Sequence, residues 1–185
     1  MSRLPDVEPL HVAVIIGSTR EGRVGDRIAG WFVSRAERRD GIALRVLDLL
    51  DYDLPDRYPR TPTPPVAAFA AEIGRAEAFV VVTPEYNRSF PASLKQAIDF
   101  AYDEWRAKPV GFVSYGYRSD GVYAVEQLRP VFTELHAVTM RDSVRFDLMH
   151  DQLDEEGDHA VGTMLDQLTW WGLALREGRA ARPYV

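Results

Sequence analysis

Groups that can bind phosphate are concentrated in residues 17–25, a stretch that reads GSTREGRVG. It carries three glycines, two hydroxyl side chains and two arginines. Hydroxyl groups, arginine guanidinium groups and the free amides at the start of a helix are donors that can surround a terminal phosphate. The stretch therefore predicts a phosphate site or, as the alternative, a polar connection whose arginines are solvated. The candidate side chains are Ser18, Thr19, Arg20 and Arg23.

This stretch follows neither of the two most familiar phosphate-loop patterns. It lacks the Gly-Lys-Ser/Thr ending of a P-loop. Gly17, Gly22 and Gly25 also have the wrong spacing for Gly-x-Gly-x-x-Gly, in which bare glycine backbone meets a dinucleotide pyrophosphate. The hydroxyl and arginine content therefore favours a monophosphate over a pyrophosphate.

Two further stretches carry aromatic and polar groups that suit a planar ring. Residues 83–91 read TPEYNRSFP, where Tyr86 and Asn87 can pack on a ring and bond its edge. The alternative there is an ordinary helix start, capped by Asn87 or Ser89. Residues 114–121 read SYGYRSDG, which can bond the polar edge of a heterocycle or can form an empty loop.

No stretch supplies a persuasive acid–base or metal-binding set. The four histidines are scattered, and the chain has no cysteine, which removes thiolate catalysis, disulfides and cysteine-ligated metals. Residues 150–159 match neither an EF-hand nor a zinc pattern, and we interpret them as a solvated acidic connection without a metal. If the protein is an enzyme, its reactive atoms therefore belong to a cofactor such as a flavin.

Short apolar segments alternate with amphipathic ones along the chain. This alternation predicts an α/β domain with a parallel sheet and helices on both faces. A common strand order is 2-1-3-4-5, with a ligand beyond the carboxyl ends of strands one and three. The predicted strands are His11–Gly17, Ile42–Leu50, Ala78–Pro84, Pro109–Gly116 and Ala137–Phe146.

Apolar residues at helical spacing predict the helices between these strands. One begins at Val24, one covers residues 92–105, one contains Pro130 and one covers residues 159–178. Pro130 removes a backbone hydrogen bond, so we expect a kink or a break there. Residues 52–65 contain five prolines and are predicted to form a surface loop.

Length and composition suit a single globular domain over residues 1–185. Hydrophobic residues make up 46% of the chain and charged residues 27%. Residues 1–10 are interpreted as a flexible extension of that domain. The formal net charge of −6 disfavours a nucleic-acid partner, and no apolar run approaches the ~20 residues of a membrane span. We therefore expect a cytoplasmic protein that binds neither nucleic acid nor membrane.

Four stretches in register resemble the NADPH-dependent FMN reductase family, which includes quinone, azo-dye and chromate reductases. They are residues 17–32, 83–100, 108–116 and 124–135. The resemblance implies a flavodoxin-like, doubly wound sheet of five parallel strands, FMN as cofactor, and NADPH or NADH as co-substrate. The implied reaction passes hydride from the nicotinamide through flavin N5 to a quinone, a flavin or a similar small acceptor. Family members are usually dimers or tetramers, which implies a homodimer or homotetramer.

The resemblance also implies roles for individual residues. In the family, the Gly-Ser-x-Arg loop holds the FMN phosphate, the Pro-Glu-Tyr-Asn turn lies against the isoalloxazine ring, and the Ser-Tyr-Gly loop reaches the pyrimidine edge. The implied phosphate contacts are Ser18, Arg20 and Arg23, with backbone help from Thr19, Val24 and Gly25. The implied ring contacts are Pro84, Glu85, Tyr86 and Asn87, and the implied pyrimidine contacts are Ser114, Tyr115 and Gly116.

One segment departs from the family pattern. Relatives commonly have further glycines after the Tyr-Gly pair, whereas residues 117–120 here are Tyr, Arg, Ser and Asp. Three alternatives follow: a narrower approach to the flavin edge, a different acceptor, or weaker FMN binding. Two rival functions also stay open, namely a flavodoxin-like electron carrier and a flavin-less binding or regulatory protein. The sequence decides neither the acceptor nor the choice between NADPH and NADH.

Overall fold

The computed structural model describes residues 8–150 and 157–184. Its centre is a parallel sheet in the order 2-1-3-4-5, which confirms the predicted α/β, flavodoxin-like architecture. The third and fourth strands have the predicted boundaries, because each is a continuous apolar run bounded by polar or turn-forming residues. The strands are β1 (Leu10–Ile16), β2 (Ile42–Asp48), β3 (Ala78–Pro84), β4 (Pro109–Gly116), β5 (Val138–Thr139) and β6 (Val144–Asp147).

The fifth position of the sheet is divided between β5 and β6, so the prediction of one strand over residues 137–146 was wrong. β5 pairs with the start of β4 and β6 with its end. The guanidinium group of Arg129 donates to the carbonyl oxygens of Met140, at 2.7 Å, and Arg141, at 3.0 Å. These carbonyl groups therefore bond a side chain of the overlying helix where the strand is interrupted.

Helices cover both faces of the sheet and form two apolar cores. Alternating side chains of β1 point to opposite faces, as Val14 and Ile15 illustrate. The first and last helices pack on one face, and the other three pack on the opposite face. The helices are α1 (Gly25–Ala36), α2 (Pro64–Arg75), α3 (Ala92–Phe100), α4 (Val122–Glu134) and α5 (Asp158–Ala181).

Proline and aromatic residues account for the differences from the predicted helices. The loop predicted for residues 52–65 ends earlier, because Pro64 and Pro65 open α2, where a missing N–H has no cost. The helix predicted for residues 92–105 ends at Phe100, and the buried Trp105 lies in a separate 3₁₀ turn, bonded to the carbonyl oxygen of Ile98 at 3.1 Å.

α4 continues through Pro130, so the break considered for this position does not occur. Pro130 and Glu126 lie on the exposed side of the helix. The carbonyl group of Glu126, which loses its helical partner to the proline, can therefore be hydrated.

The first described residues are held in place rather than extended into solvent. Arg176 of α5 donates to the carbonyl oxygens of Glu8, at 2.8 Å, and Pro9, at 2.9 Å. Leu10 is fully buried in β1. Of the flexible extension predicted for residues 1–10, only residues 8–10 are described, and they contact α5 or belong to β1. Among the described helices, none has the length and apolar character needed to cross a membrane.

Candidate functional site

The carboxyl ends of β1, β3 and β4 bring the three predicted stretches to one edge of the sheet. Ile16 is paired with Val82, and Pro84 with Tyr115. A cleft of ≈ 590 Å³ opens there between the first two stretches. It is lined by Thr19, Arg20, Glu85, Tyr86, Asn87, Pro91, Ala92 and Ser93.

The loop after β1 contains consecutive backbone amides without an acceptor among the described residues, and two of its residues, Thr19 and Arg20, line this cleft. Within the described parts of the chain, the amides of residues 18–22 donate no hydrogen bond. They are followed by the first turn of α1, whose amides have no partner inside the helix. Arg20 is exposed and lines the cleft, and its guanidinium group has no ion pair among the described residues. A loop with unbonded amides and an arginine that lines the adjoining cleft have the donors that suit an anion.

Gly17 and Ser18 anchor this loop to its neighbours. A Cβ atom on Gly17 would lie 3.0 Å from the Leu94 side chain and 3.3 Å from the Val82 carbonyl oxygen, so a larger residue would require these neighbours to shift. Ser93 donates to the Gly17 carbonyl oxygen at 3.2 Å, and the hydroxyl groups of Ser18 and Tyr86 are 3.0 Å apart. The first and second stretches are therefore bonded directly to each other.

Arg23 is bonded within the protein. Its guanidinium group donates to the carbonyl oxygen of Ser18 at 2.5 Å and to both carboxylate oxygens of Asp48, at the end of β2. The hydrogen bond with Asp48 raises the pKa of Arg23. Burial pushes the pKa of Asp48 upward, but the bonds from Arg23 and from the Leu50 amide outweigh it and leave that pKa below its ordinary value. Arg23 thus braces the loop while Arg20 faces the cleft.

The second stretch forms a tight turn at the rim of the cleft. The Tyr86 amide donates to the Ser89 carbonyl oxygen at 2.8 Å, and the Ser89 amide donates back at 3.0 Å. Asn87 has φ 50° and Arg88 has φ 65°, the left-handed conformation at both central positions of a type I′ turn. Asparagine tolerates this conformation, whereas arginine rarely adopts it. The turn holds Tyr86 and Asn87 toward the cleft.

Ser114 and Tyr115 do not reach this cleft with their side chains. Both belong to β4 and are buried; the Ser114 hydroxyl donates to the Asp120 carbonyl oxygen at 2.8 Å. The Tyr115 hydroxyl lies against Gly25, where a Cβ atom would be 2.7 Å away, and it makes no hydrogen bond of good geometry among the described residues. Burial raises the pKa of Tyr115, and the nearby Ser18 hydroxyl opposes only part of that rise. Of the three residues predicted at the pyrimidine edge, two are therefore turned into the fold.

Gly116 lies where three segments crowd together. A Cβ atom on it would be 3.1 Å from the Gly121 nitrogen and 3.3 Å from Glu85 Cβ. Two residues of the segment that follows have a backbone conformation that favours glycine, because Arg118 has φ 69° and Asp120 has φ 53°. The segment from Tyr117 to Asp120 does not line the first cleft. It lines a second one of ≈ 510 Å³, which shares Glu85 with the first.

Several residues of the site were missed by the sequence reasoning. Asp48 ends β2 beside Ile16, and a carboxylate at that end of a strand could have been matched to the arginines of the neighbouring loop. Ser93 lies in the first turn of α3, which points back at the loop after β1. Arg88 and Tyr123 come together with the Arg88 guanidinium carbon 3.8 Å from the ring centroid, which no sequence pattern signals.

The predicted acidic connection at residues 150–159 lies mostly outside the described residues. In the ranges that the structure does describe, no group of three or more His, Asp or Glu side chains is arranged to hold a metal ion.

A parallel sheet in this order, with a loop of free amides after its first strand, defines a flavodoxin-like protein. Residues 10–151 match the family model described as NADPH-dependent FMN reductase, and the chain belongs to that family.

Curated and structural relatives agree with this assignment. An NAD(P)H-dependent FMN reductase of Schizosaccharomyces pombe is 35% identical over 122 residues, which is 60% of this chain and 60% of that protein. A 2-hydroxy-1,4-benzoquinone reductase of a Burkholderia species is 28% identical over 179 residues, covering 88% and 96%. The flavoenzyme NAD(P)H:(acceptor) oxidoreductase FerB of Paracoccus denitrificans superposes with a TM-score of 0.75 at 22% identity, covering 89% of this chain and 98% of that one.

Proposed function

We propose that the chain is an NAD(P)H-dependent reductase that holds FMN and reduces a quinone, a flavin or a similar small acceptor. The observation that carries this proposal is the first cleft, which Arg20 and Tyr86 both line and which adjoins a loop with unbonded amides. Relatives whose names specify FMN or quinone reduction support it. The match covers 60% of the S. pombe protein, so the activity and substrates of this chain are part of the proposal.

The residues present fit FMN at its charged end. The amides of residues 18–22, the Thr19 hydroxyl and the Arg20 guanidinium supply the donors that a phosphate monoester needs. The first turn of α1, from Gly25, adds the positive end of a helix dipole. In this proposal Ser18 and Arg23 shape the loop, since their polar groups are bonded to Tyr86 and Asp48.

The ring end of FMN would lie against the second stretch. Pro84 and Glu85 continue β3 into the turn, and Tyr86 and Asn87 line the cleft. At the pyrimidine edge we propose a backbone role for Gly116, because the polar side chains of Ser114 and Tyr115 are buried.

When bound, FMN supplies the hydride-transfer chemistry. The chain's own contribution is to position the reactants and to present fixed donors. Tyr86 is held by the Ser18 hydroxyl, and one carboxylate oxygen of Glu85 accepts a hydrogen bond from the Tyr123 amide at 3.2 Å. Groups fixed before the ligand arrives need little reorganisation during the reaction.

We also propose a homodimer or homotetramer. Trp170, which is 64% exposed, stands beside Trp171 on α5, and large exposed aromatic side chains are typical of association surfaces. Light scattering of the purified chain tests this point, and a monomer at micromolar concentration would contradict it.

One spectroscopic and kinetic experiment tests the reductase proposal. The purified chain is titrated with FMN, and NADPH and then a benzoquinone are added to the loaded protein. We expect a flavin absorbance band that bleaches with NADPH, returns with the quinone, and supports steady NADPH oxidation.

Two other outcomes would assign the rival functions. The fold of a Streptococcus pneumoniae flavodoxin superposes with a TM-score of 0.60 at 17% identity, so an electron carrier is the second candidate. Protein that holds FMN but does not oxidise NADPH would favour that carrier. Protein that stays colourless, with a melting temperature unchanged by FMN, would favour a flavin-less binding protein.

A further inference from the structure

The second cleft, of ≈ 510 Å³, contains a cluster of three arginines. Its lining includes Arg88, Arg118 and Arg145, and none of the three has an ion pair with any described carboxylate. Arg88 stacks on Tyr123 at 3.8 Å. All three arginines are exposed, and what they share is that they line one cleft.

The acidic side chains near the cleft do not form ion pairs with this cluster. Glu85 and Asp120 line the cleft, and one oxygen of Glu85 accepts the Tyr123 amide. A third carboxylate, that of Asp147, lies beside the cleft and accepts the Arg118 amide at 3.2 Å. The three guanidinium groups therefore keep their side-chain donors available for an anionic ligand.

The position of the second cleft indicates which ligand would carry the anionic group that these arginines bind. It shares Glu85 with the first cleft, and the turn at residues 86–89 stands between them. A ligand whose reactive end occupies the first cleft can therefore extend into the second. Tyr117, which is 71% exposed, and Tyr123 offer aromatic surface there for a base.

We propose that Arg118 and Arg145 bind the 2′-phosphate of NADPH and select it over NADH. This inference rests on the proposed function, since it assigns the far end of the same co-substrate. A phosphate monoester is a dianion with three free oxygens, which planar guanidinium groups can bond in pairs. Arg88 contributes charge, and its stacking on Tyr123 fixes one wall of the cleft.

The test compares two nucleotides that differ only in the 2′-phosphate. Binding of 2′,5′-ADP and 5′-AMP to FMN-loaded protein is measured by calorimetry for the parent chain, Arg118→Gln and Arg145→Gln. We expect the parent to bind 2′,5′-ADP at least about tenfold more tightly, and each variant to lose most of that ratio with 5′-AMP binding unchanged. Arg182→Gln is the matched control, because Arg182 is exposed and has no side-chain ion pair among the described residues.

Equal affinity of the parent for the two nucleotides would overturn the proposal, and so would an unchanged ratio in both variants. A variant that raises KM for an anionic quinone while leaving the 2′,5′-ADP ratio intact would also overturn it, because the cleft would then serve the acceptor. The two levels of inference are separable. FMN retention and quinone-dependent turnover with equal use of NADPH and NADH would remove this inference alone. Failure to retain FMN would remove the proposed function.

Discussion

The guanidinium group of Arg23 holds both carboxylate oxygens of Asp48 and, at 2.5 Å, the carbonyl oxygen of Ser18. The pair links the end of β2 to the loop after β1 and fixes the direction of the Ser18 carbonyl group. The amides of residues 18–22 in that loop have no acceptor among the described residues. In the proposed function, Arg23 therefore acts on anion binding through the shape of the loop.

We expect Asp48→Asn to lower both stability and FMN affinity. The substitution removes a charged partner from a largely buried arginine, which costs about 1–3 kcal/mol. Because the pKa of Asp48 is lowered in the folded state, its contribution is present above the ordinary pKa and declines as pH falls through the folded value. Urea unfolding should give a difference in unfolding free energy between parent and variant that is constant from about pH 5 to about pH 8. This difference should shrink below about pH 4.

Asp99→Asn is the control for that measurement. Asp99 forms an exposed pair with Lys95, and such pairs contribute little to stability. A stability loss as large in Asp99→Asn as in Asp48→Asn would contradict the special role of the Arg23–Asp48 pair.

Arg20→Ala should weaken FMN retention without unfolding the protein. Arg20 is exposed and makes no side-chain hydrogen bond or ion pair with the described residues, so its loss leaves the fold intact. A hydrogen bond to a charged group is worth about 1.5–3 kcal/mol, so we expect at least about a tenfold rise in the Kd for FMN by fluorescence titration. Arg182→Ala makes the same change in charge elsewhere and should leave the Kd unchanged. Equal affinities in all three proteins would remove the phosphate role from Arg20.

Gly25 and Tyr115 are expected to be coupled. A Cβ atom at position 25 would lie 2.7 Å from the Tyr115 hydroxyl, so Gly25→Ala should destabilise the chain by about 1–3 kcal/mol. Tyr115→Phe removes a buried hydroxyl that has no partner among the described residues and should be neutral or stabilising. In the double variant, most of the cost of Gly25→Ala should disappear. A double-mutant cycle by urea unfolding that gives additive values would contradict this contact.

The left-handed backbone conformation of Arg118, in the segment that departs from the family pattern, can be tested by substitution. Its φ of 69° is strained for a residue with a Cβ atom, so Arg118→Gly should be about 1 kcal/mol more stable than Arg118→Ala. The alanine variant removes the side chain but keeps the strain, which makes it the appropriate reference. Similar thermal unfolding midpoints for the two variants would show that the segment relaxes into another conformation.

The parts of the fold that follow from local patterns were predicted from the sequence. β3 and β4 are continuous apolar runs, and their boundaries follow directly from that pattern. The divided fifth position depends on Arg129, a residue of another element that bonds the carbonyl groups of residues 140 and 141. The pattern of residues along the chain does not reveal a bond between two separate elements.

The site shows the same division between local and long-range information. Arg20, Tyr86 and Asn87 line the first cleft. Their position could be predicted because their loops follow strands whose direction was itself predicted. Ser114 and Tyr115 lie inside the predicted β4, so their burial was already implicit in that strand. The bonding of Arg23 to Asp48 joins residues 25 positions apart, and the sequence offers several other carboxylates as partners.

The four-residue turn from Tyr86 to Ser89 separates the two clefts, with Asn87 lining one and Arg88 the other. A substitution in this turn would therefore alter the walls of both clefts at once. Residues 117–120 border the second cleft alone, so a substitution there changes that cleft and leaves the lining of the first intact.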